Sequence, residues 1–505
     1  MLTLVDPLKR ALQIRPHGLA LIDGDREVTY EELAHRCSLL VGALRHLGAE
    51  SGSRVAILAN NGFQYFEAYL GIPAGGMVVV PLNTRHAIPE LVYALKDSGA
   101  NILITDRADL GELADVVEHV ISLSDRYEMM LAEAEPALLG EGLAETDLAG
   151  LFYTGGTTGA SKGVMLTHRN LIANALNWLA SVPQTENDRT LVMAPMFHAA
   201  GSNGILAAIW QGSLQVPLGT FDPAAVLDLI EKHRINITLG VPSMLAAMAE
   251  EQHANPRDTS SLQVLTHGGS PIATEVIRRA SSAFPSAQMI EVYGATETSP
   301  LATLLGHEET LMDNVLARSC GRAVVGCNIT VRDADGNELP KGEVGEVVVS
   351  GTNIMKGYWN KPEQTAAVLK HGGYWTGDLG YLDAEGYLFL VDRSKDMIVS
   401  GGENVYSTEV EDILYRHPAI LEAAVFGVPD DKWGEAVHAV VVPRPESPSV
   451  DPAELIAFCR EHLGGYKVPK GIDIQHEPLP KSGPGKVLKR ELRAPFWEGA
   501  DRAVN

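Results

Sequence analysis

The sequence predicts an α/β protein. A large amino-terminal part would be built of layered, largely parallel sheets, followed by a small antiparallel segment and a compact α+β unit at the carboxyl end. Three observations predict this. Short apolar runs alternate with helical patterns as far as about residue 325, as expected where helices connect parallel strands. Turn signals then crowd together between short β-like runs. The last 110 or so residues change texture again, with helical patterns interleaved with apolar strands. Composition allows such a fold: 505 residues, 45% hydrophobic and 21% charged, supply a large core and argue against wholesale disorder.

In chain order, Val55–Leu58, Met77–Val80 and Asn101–Thr105 read as buried strands, because short runs of three or four apolar residues suit strands covered on both faces. Glu67–Leu70 and Leu91–Leu95 between them fit helices. Cys327–Arg332 leads into Asp335-Gly336, a hairpin signal, and then Gly345–Val349. Asp383–Gly386 punctuates a second strand pair, so this segment is expected to be a small distorted sheet or barrel. A helix is expected from about Ser407 to Arg416, where Thr408 and Glu411 have capping-box spacing. Strands at Ala423–Phe426 and Ala436–Val442 follow, then a helix from about Pro452 to Leu463. The boundary of this last unit is placed near Arg393 to Lys395, giving domains 1–393 and 394–505.

Charge and cysteine content exclude several classes. Sixty-four acidic against 40 basic residues give a net charge of −24, which disfavours nucleic-acid binding and docking on anionic membranes. Four cysteines, Cys37, Cys320, Cys327 and Cys459, fit neither a disulfide scaffold nor a zinc pattern. Met1–Gln13 lacks the apolar core of a signal peptide, and the apolar stretch Met77–Leu82 is too short to span a bilayer. A soluble, cytoplasmic protein is expected.

Five motifs carry chemistry. Tyr153 to Gly163 reads YTGGTTGASKG: glycines that let backbone N–H groups converge on an anion, three threonine hydroxyls, and Lys162. This equipment suits a polyphosphate, although the loop lacks the G-K-[ST] of a Walker loop. Glu291 to Ser299 ends a β-like run in a glycine turn that offers the Tyr293 ring for a purine and Glu297 for Mg²⁺. Tyr374 to Gly380, followed by Leu390 to Asp396, places Asp378 in a glycine-flanked turn with Arg393 after it, a set suited to ribose hydroxyls. Ser400 to Tyr406 and Pro480 to Val487 are two further glycine-rich loops, the second presenting Lys486. No G-x-G-x-x-G opens a βαβ unit, so a dinucleotide dehydrogenase is disfavoured.

In this order and spacing the motifs resemble the adenylate-forming superfamily of acyl-CoA synthetases, luciferases and peptide-synthetase adenylation domains. The likeness runs from Thr29-Tyr30-Glu31-Glu32-Leu33 to Lys486, and Lys356 to Glu363, KGYWNKPE, is similar to the acyl-CoA synthetase branch. The resemblance implies a large amino-terminal adenylate-forming domain and a small mobile carboxyl-terminal domain turning about Lys395. It implies ATP, Mg²⁺ and CoA as cofactor and co-substrates, with a small carboxylic acid as partner; a homodimer is left open.

Residue by residue, Thr154, Gly155, Gly156, Thr157, Thr158, Gly159 and Lys162 would hold the β- and γ-phosphates. Gly155 replaces the family's usual serine and Ser161 its usual proline. Adenine would lie against Tyr293 and Gly294, near Gly268, Gly269 and Ser270. Thr296 would meet the α-phosphate, Glu297 would bind Mg²⁺, and Asp378 and Arg393 would hold the ribose. His198 matches an aromatic gate beside the carboxylate, and Lys486 the lysine of the first half-reaction. Gly401, Gly402 and Glu403 match the loop facing the thioester site.

The expected pocket, with Phe197, Ala199, Gly201, Val241, His267 and Ala295, contains no Lys or Arg, which disfavours a second carboxylate on the acid. It lacks the Asp that would hold an amino acid's ammonium near Ala199. A medium- or long-chain fatty acid is the first expectation and an aryl or arylpropenoic acid the alternative. Loading of a carrier protein, luciferase-like oxidation and a non-catalytic nucleotide-binding module are the rival readings.

Overall fold

The computed structural model describes residues 2–154, 161–269, 272, 274–307, 315–393, 396–400, 403–430, 433–445, 447, 449–481 and 487–497. The chain divides into two compact units, 1–329 with 349–374 and 330–348 with 375–505.

The first unit holds two large sheets. In the seven-stranded sheet the order is Gly357–Tyr358, Lys162–Thr167, Leu148–Thr154, Val78–Pro81, Arg54–Leu58, Ile102–Thr105, His119–Ser122. The last five strands are parallel, and Lys162–Thr167 runs antiparallel to both of its neighbours, Leu148–Thr154 and Gly357–Tyr358. The predicted apolar runs at 55–58, 77–80 and 101–105 are the central strands. The helix Phe63–Ala74 is mostly apolar and is buried from Tyr65 to Ala74, with the one carboxylate in that stretch, Glu67, paired to Arg36. Burying each large side chain of this kind, Phe66 and Tyr69 among them, contributes roughly 1.5–3 kcal/mol.

In the nine-stranded sheet the order is Arg322–Ala323, Thr303–Leu305, Gln288–Tyr293, Val264–Gly268, Ile237–Gly240, Arg189–Val192, Leu214–Pro217, Leu19–Asp23, Arg26–Thr29. Its six central strands, Gln288–Tyr293 to Leu19–Asp23, are parallel. One face packs Leu191, Met193, Leu245, Leu265 and Met289 into a common cluster.

The antiparallel texture predicted after residue 325 is a small sheet of Cys327–Arg332, Gly345–Gly351, Gly373–Leu382 and Leu369–Lys370, with Leu388–Arg393 paired to Gly373–Leu382. In the second unit, Glu403–Val405, Ile398–Ser400, Gly434–Pro443 and Ile420–Asp430 form an antiparallel sheet. The strand Gly471–Ile474 is added parallel to Gly434–Pro443. The helices Ser407–Arg416 and Pro452–His462 cover the sheet through Val410, Leu414, Leu455 and Cys459.

One local expectation is corrected. The first of these helices has no Thr408–Glu411 capping box: its N-cap is Tyr406, with no side-chain cap bond. Thr408 Oγ1 instead donates to the Val391 carbonyl. Glu411 Oε1 accepts from the Val425 N–H at 2.7 Å and pairs with Lys489 at 2.7 Å. A buried ammonium and a strand N–H compete for the carboxylate better than the helix's own N-terminus does.

Among the described residues, no helix is long and apolar enough to cross a membrane.

Candidate active site

Four neighbouring parallel strands of the nine-stranded sheet end in predicted motifs. Arg189–Val192 leads to Pro195–His198, Ile237–Gly240 to Val241, and Val264–Gly268 to Gly269. Gln288–Tyr293 leads to the Gly294–Thr298 turn. Register fixes the alignment: Gly240 stands opposite His267, His267 opposite Glu291, and Gly268 opposite Val292. Segments far apart in sequence therefore meet at the carboxyl edge of one parallel sheet, where open α/β sheets place ligands.

The turn after Gln288–Tyr293 is tightly fixed. Gly294 approaches the backbone so closely that an added Cβ would run into the Pro300 carbonyl, so only glycine fits. Thr296–Thr298 forms a single 3₁₀ turn. The Ala295 N–H donates to Thr298 Oγ1 at 3.0 Å, and buried Asn353 donates to the Thr298 and Leu301 carbonyls at 2.7 and 2.8 Å. Glu297 is buried within this frame. Its Oε1 accepts a 2.8 Å hydrogen bond from the Tyr358 hydroxyl, and its backbone carbonyl accepts from the Met355 N–H. Its other carboxylate oxygen makes no hydrogen bond among the described residues.

The candidate phosphate loop joins the antiparallel strands Leu148–Thr154 and Lys162–Thr167, with Thr154 opposite Lys162. It is thus a hairpin connection, and the helix that follows starts only at His168. Gly155, Gly156, Thr157, Thr158 and Gly159 lie outside the described residues. At the neck, Ser161 Oγ donates to the Thr154 carbonyl at 2.7 Å. That bond gives this chain a local tie where the family pattern has proline. The Lys162 ammonium lies 4.9 Å from the centre of the Tyr358 ring, a cation–π arrangement.

The loop's base is anchored on Asp97. Tyr153 donates to Asp97 Oδ2 at 2.8 Å, and Lys361 pairs with Oδ1 at 3.1 Å. The Trp359 indole donates to the Asp97 carbonyl at 3.0 Å, and the Trp359 N–H donates to Gly163 O at 2.8 Å. Burial and the Asp97 carboxylate push the Tyr153 phenol far above its ordinary range, so it stays a donor.

Around the expected acid pocket, Phe197 and His198 pack with ring centroids 4.5 Å apart. His198 is the N-cap of the helix Ala199–Gln211, and its buried Nε2 has no hydrogen-bond partner among the described residues. Burial, with Arg85 and His86 nearby, lowers its pKa to about 4, so it is neutral at physiological pH. Ala199 is buried, while Ala200 and Gly204 are exposed on one side of the helix, with open space beside Gly204. Gly201 faces elsewhere: a Cβ there would meet the Pro195 carbonyl, so this glycine serves close packing. His267 is fully buried with both ring nitrogens unpartnered among the described residues, and burial lowers its pKa to about 4. Val241 and Ala295 are partly exposed. Ser270 lies outside the described residues.

In the second unit, Asp378 and Arg393 are directly opposed across the pair Gly373–Leu382 and Leu388–Arg393. Gly377 has φ +74°, and its N–H donates to Glu346 Oε1 at 3.0 Å; the Asp378 N–H donates to Thr376 Oγ1 at 3.1 Å. Glu403 is exposed at the start of a strand. Lys395, Gly401, Gly402 and Lys486 lie outside the described residues.

Three residues that sequence reasoning missed complete this picture: Asp97, Asn353 and Tyr358. The KGYWNKPE motif contained Tyr358, Trp359 and Lys361, but only as a family mark.

Two family models match the chain: AMP-binding enzyme over residues 8–359 and AMP-binding enzyme C-terminal domain over residues 409–486. The chain therefore belongs to the AMP-binding enzyme family. It is an adenylate-forming enzyme of the acid–thiol ligase class. It is 40% identical to a feruloyl-CoA synthase from an Amycolatopsis species over 494 residues, 97% of this chain and 98% of that one. It is 36% identical to the medium/long-chain-fatty-acid–CoA ligase FadD8 of Mycobacterium tuberculosis, over 99% of this chain and 90% of that one. Among solved structures, o-succinylbenzoate CoA synthetase from Bacillus subtilis with ATP and magnesium superposes with a TM-score of 0.87 at 32% identity, over 96% of this chain and 99% of that one.

Proposed function

We propose that this AMP-forming acid–CoA ligase acts on a monocarboxylic acid with an apolar body, and that the residues named above carry its two half-reactions. The observation that carries the proposal is the grouping of Lys162, Tyr358 and Glu297, which sets a cation and an acid on one aromatic side chain next to the candidate phosphate loop.

A carboxylate oxygen attacks the α-phosphorus of ATP. The bond from that phosphorus to the bridging oxygen breaks, giving acyl-AMP and pyrophosphate. Both reactants are anionic, so the site must offset repulsion and steady the charge building on the leaving group. Thr154 to Lys162 hold the β- and γ-phosphates, Thr296 the α-phosphate and Lys486 the transition-state charge. Tyr293 covers the adenine, while Asp378 and Arg393 hold the ribose.

The uncommitted Glu297 oxygen fits Mg²⁺, a hard cation that takes one or two carboxylates and completes its shell with phosphates and water. When bound there, Mg²⁺ would neutralise phosphate charge. His198, neutral and buried, forms a wall that does not trap the substrate carboxylate in an ion pair.

In the second half, the CoA thiol, giving up its proton, attacks the acyl carbon and AMP leaves. The small domain turns about Lys395 and exchanges the Lys486 loop for the Gly401–Glu403 loop, a gating step that also limits hydrolysis of acyl-AMP.

Two acid classes are supported. The feruloyl-CoA synthase relative supports an arylpropenoic acid, and the FadD8 relative a medium- or long-chain fatty acid. The open space at Gly204 and the absence of Lys and Arg from the pocket segments suit both. Pyrophosphate release across a panel containing both classes, dicarboxylates and amino acids, with CoA or a carrier-protein thiol as acceptor, tests the proposal. Turnover with an apolar monocarboxylate and CoA is expected; preference for a dicarboxylate, an amino acid or the carrier would overturn it.

A further inference from the structure

We propose that Tyr358 is a positioning residue that keeps Glu297 and Lys162 apart and holds each ready for ATP, an inference that rests on the function proposed above. Its hydroxyl donates to Glu297 Oε1 at 2.8 Å, and its ring carries the Lys162 ammonium 4.9 Å from the centroid. An acid and an ammonium that share a neighbour can instead pair with one another, and each would then be spent on the other. No such pair forms: the hydroxyl edge of Tyr358 engages the anion and its π-face engages the cation. One carboxylate oxygen is fixed, which leaves the other to face a metal ion singly. Among the described residues the ammonium has no carboxylate partner, so its charge remains available to phosphate oxygens.

The tyrosine is itself firmly held, as a positioning residue must be. It is 5% exposed. Its strand Gly357–Tyr358 pairs with Lys162–Thr167, placing Tyr358 opposite Val164. Its N–H donates to Thr365 Oγ1 at 2.9 Å. The next residue, Trp359, is tied to Gly163 and to Asp97. The element that carries Tyr358 is thus the one that anchors the base of the loop.

Two substitutions in the full-length enzyme separate the two edges. Tyr358→Phe removes the hydroxyl and keeps the ring; Tyr358→Leu removes both. Binding of a non-hydrolysable ATP analogue is measured calorimetrically with Mg²⁺ and with EDTA, alongside the melting temperature and the rate of thioester formation from supplied acyl-AMP. Tyr358→Phe should weaken the Mg²⁺-bound analogue about tenfold, the scale of one charge-assisted hydrogen bond, and leave metal-free binding unchanged. Tyr358→Leu should weaken both. Thioester formation from acyl-AMP should be spared in each.

Equal loss with and without metal in Tyr358→Phe, or loss only in step with a lowered melting temperature, would reduce the residue to a structural one and overturn the proposal. Unchanged binding in Tyr358→Phe would overturn it as well. Glu297→Gln separates this inference from its foundation. If that variant keeps its Mg²⁺ dependence, the role given to Glu297 fails and the positioning role fails with it. If it loses that dependence while Tyr358→Phe does not, only the positioning role fails.

Discussion

Asp378 and Arg393 face one another as directly opposed residues of an antiparallel pair, although one sits in a glycine turn motif and the other in the run-up to the proposed hinge. The hairpin at Asp383–Gly386 brings the two motifs together, and the pairing gives the proposed ribose site a rigid backbone. Asp378→Ala should raise KM for ATP by about tenfold to a hundredfold, the range expected for losing hydrogen bonds to a charged group. The penalty should shrink when 2′-deoxy-ATP replaces ATP. Steady-state kinetics with both nucleotides checks this; an equal penalty for each would remove Asp378 from the ribose site.

Lys486→Ala separates the half-reactions. Acyl-AMP formation should fall by about 10²–10³-fold, as when one preorganised charge stabiliser is lost. Thioester formation from supplied acyl-AMP should stay near the wild-type rate. Equal loss in both halves would contradict the proposed swing about Lys395.

Asp97 gathers Tyr153, Trp359 and Lys361 at the base of the proposed phosphate loop. Asp97→Ala should cost about 1–3 kcal/mol of stability, because a partly buried ammonium and phenol lose their acceptor. It should also raise KM for ATP. Chemical denaturation and ATP kinetics are the measurements, and a loss of stability with unchanged ATP kinetics would limit Asp97 to the fold.

His267 and Glu291 are register partners that titrate in opposite senses. Burial lowers His267 from 6.5 to about 4, so between those values the unfolded chain binds more protons. Its neutral state therefore stabilises the protein fully above about pH 6.5, and this is lost as pH falls toward 4, by at most about 3 kcal/mol. Burial raises Glu291 from 4.5 to about 8, so there the folded state binds more protons and stability falls as pH rises through that window. Thermal melts should show Glu291→Gln gaining over the wild type as pH climbs from 5 to 8. His267→Leu should flatten the acid limb. A pH-independent difference in either variant would refute its assigned titration.

Much of the fold was legible because its signals are local. The strands at 55–58 and 102–105 are short, almost wholly apolar runs, as burial on both faces demands, and Asp383–Gly386 turns where its residue types predict. The motifs of the site were legible for the same reason, since glycine turns and their polar neighbours are contiguous in sequence.

What stayed hidden depends on distance along the chain. Tyr358 meets Glu297 across 61 positions and Lys361 meets Asp97 across 264, and neither pair leaves a mark in its own neighbourhood. The close packing at Gly201 was hidden as well, since a Cβ there would meet the carbonyl of Pro195, which the sequence does not show to be in contact. The capping box at Thr408 failed because Lys489, remote in sequence, claims Glu411.

The most direct measurement is AMP formation by the purified enzyme with ATP, Mg²⁺ and one acid at a time from the arylpropenoic and fatty series, with and without CoA, with the product identified by mass. Sustained AMP release that requires CoA, with the matching acyl-CoA as product, is the predicted result. Sustained AMP release indifferent to CoA, or none with any acid of either series, would contradict the proposed function.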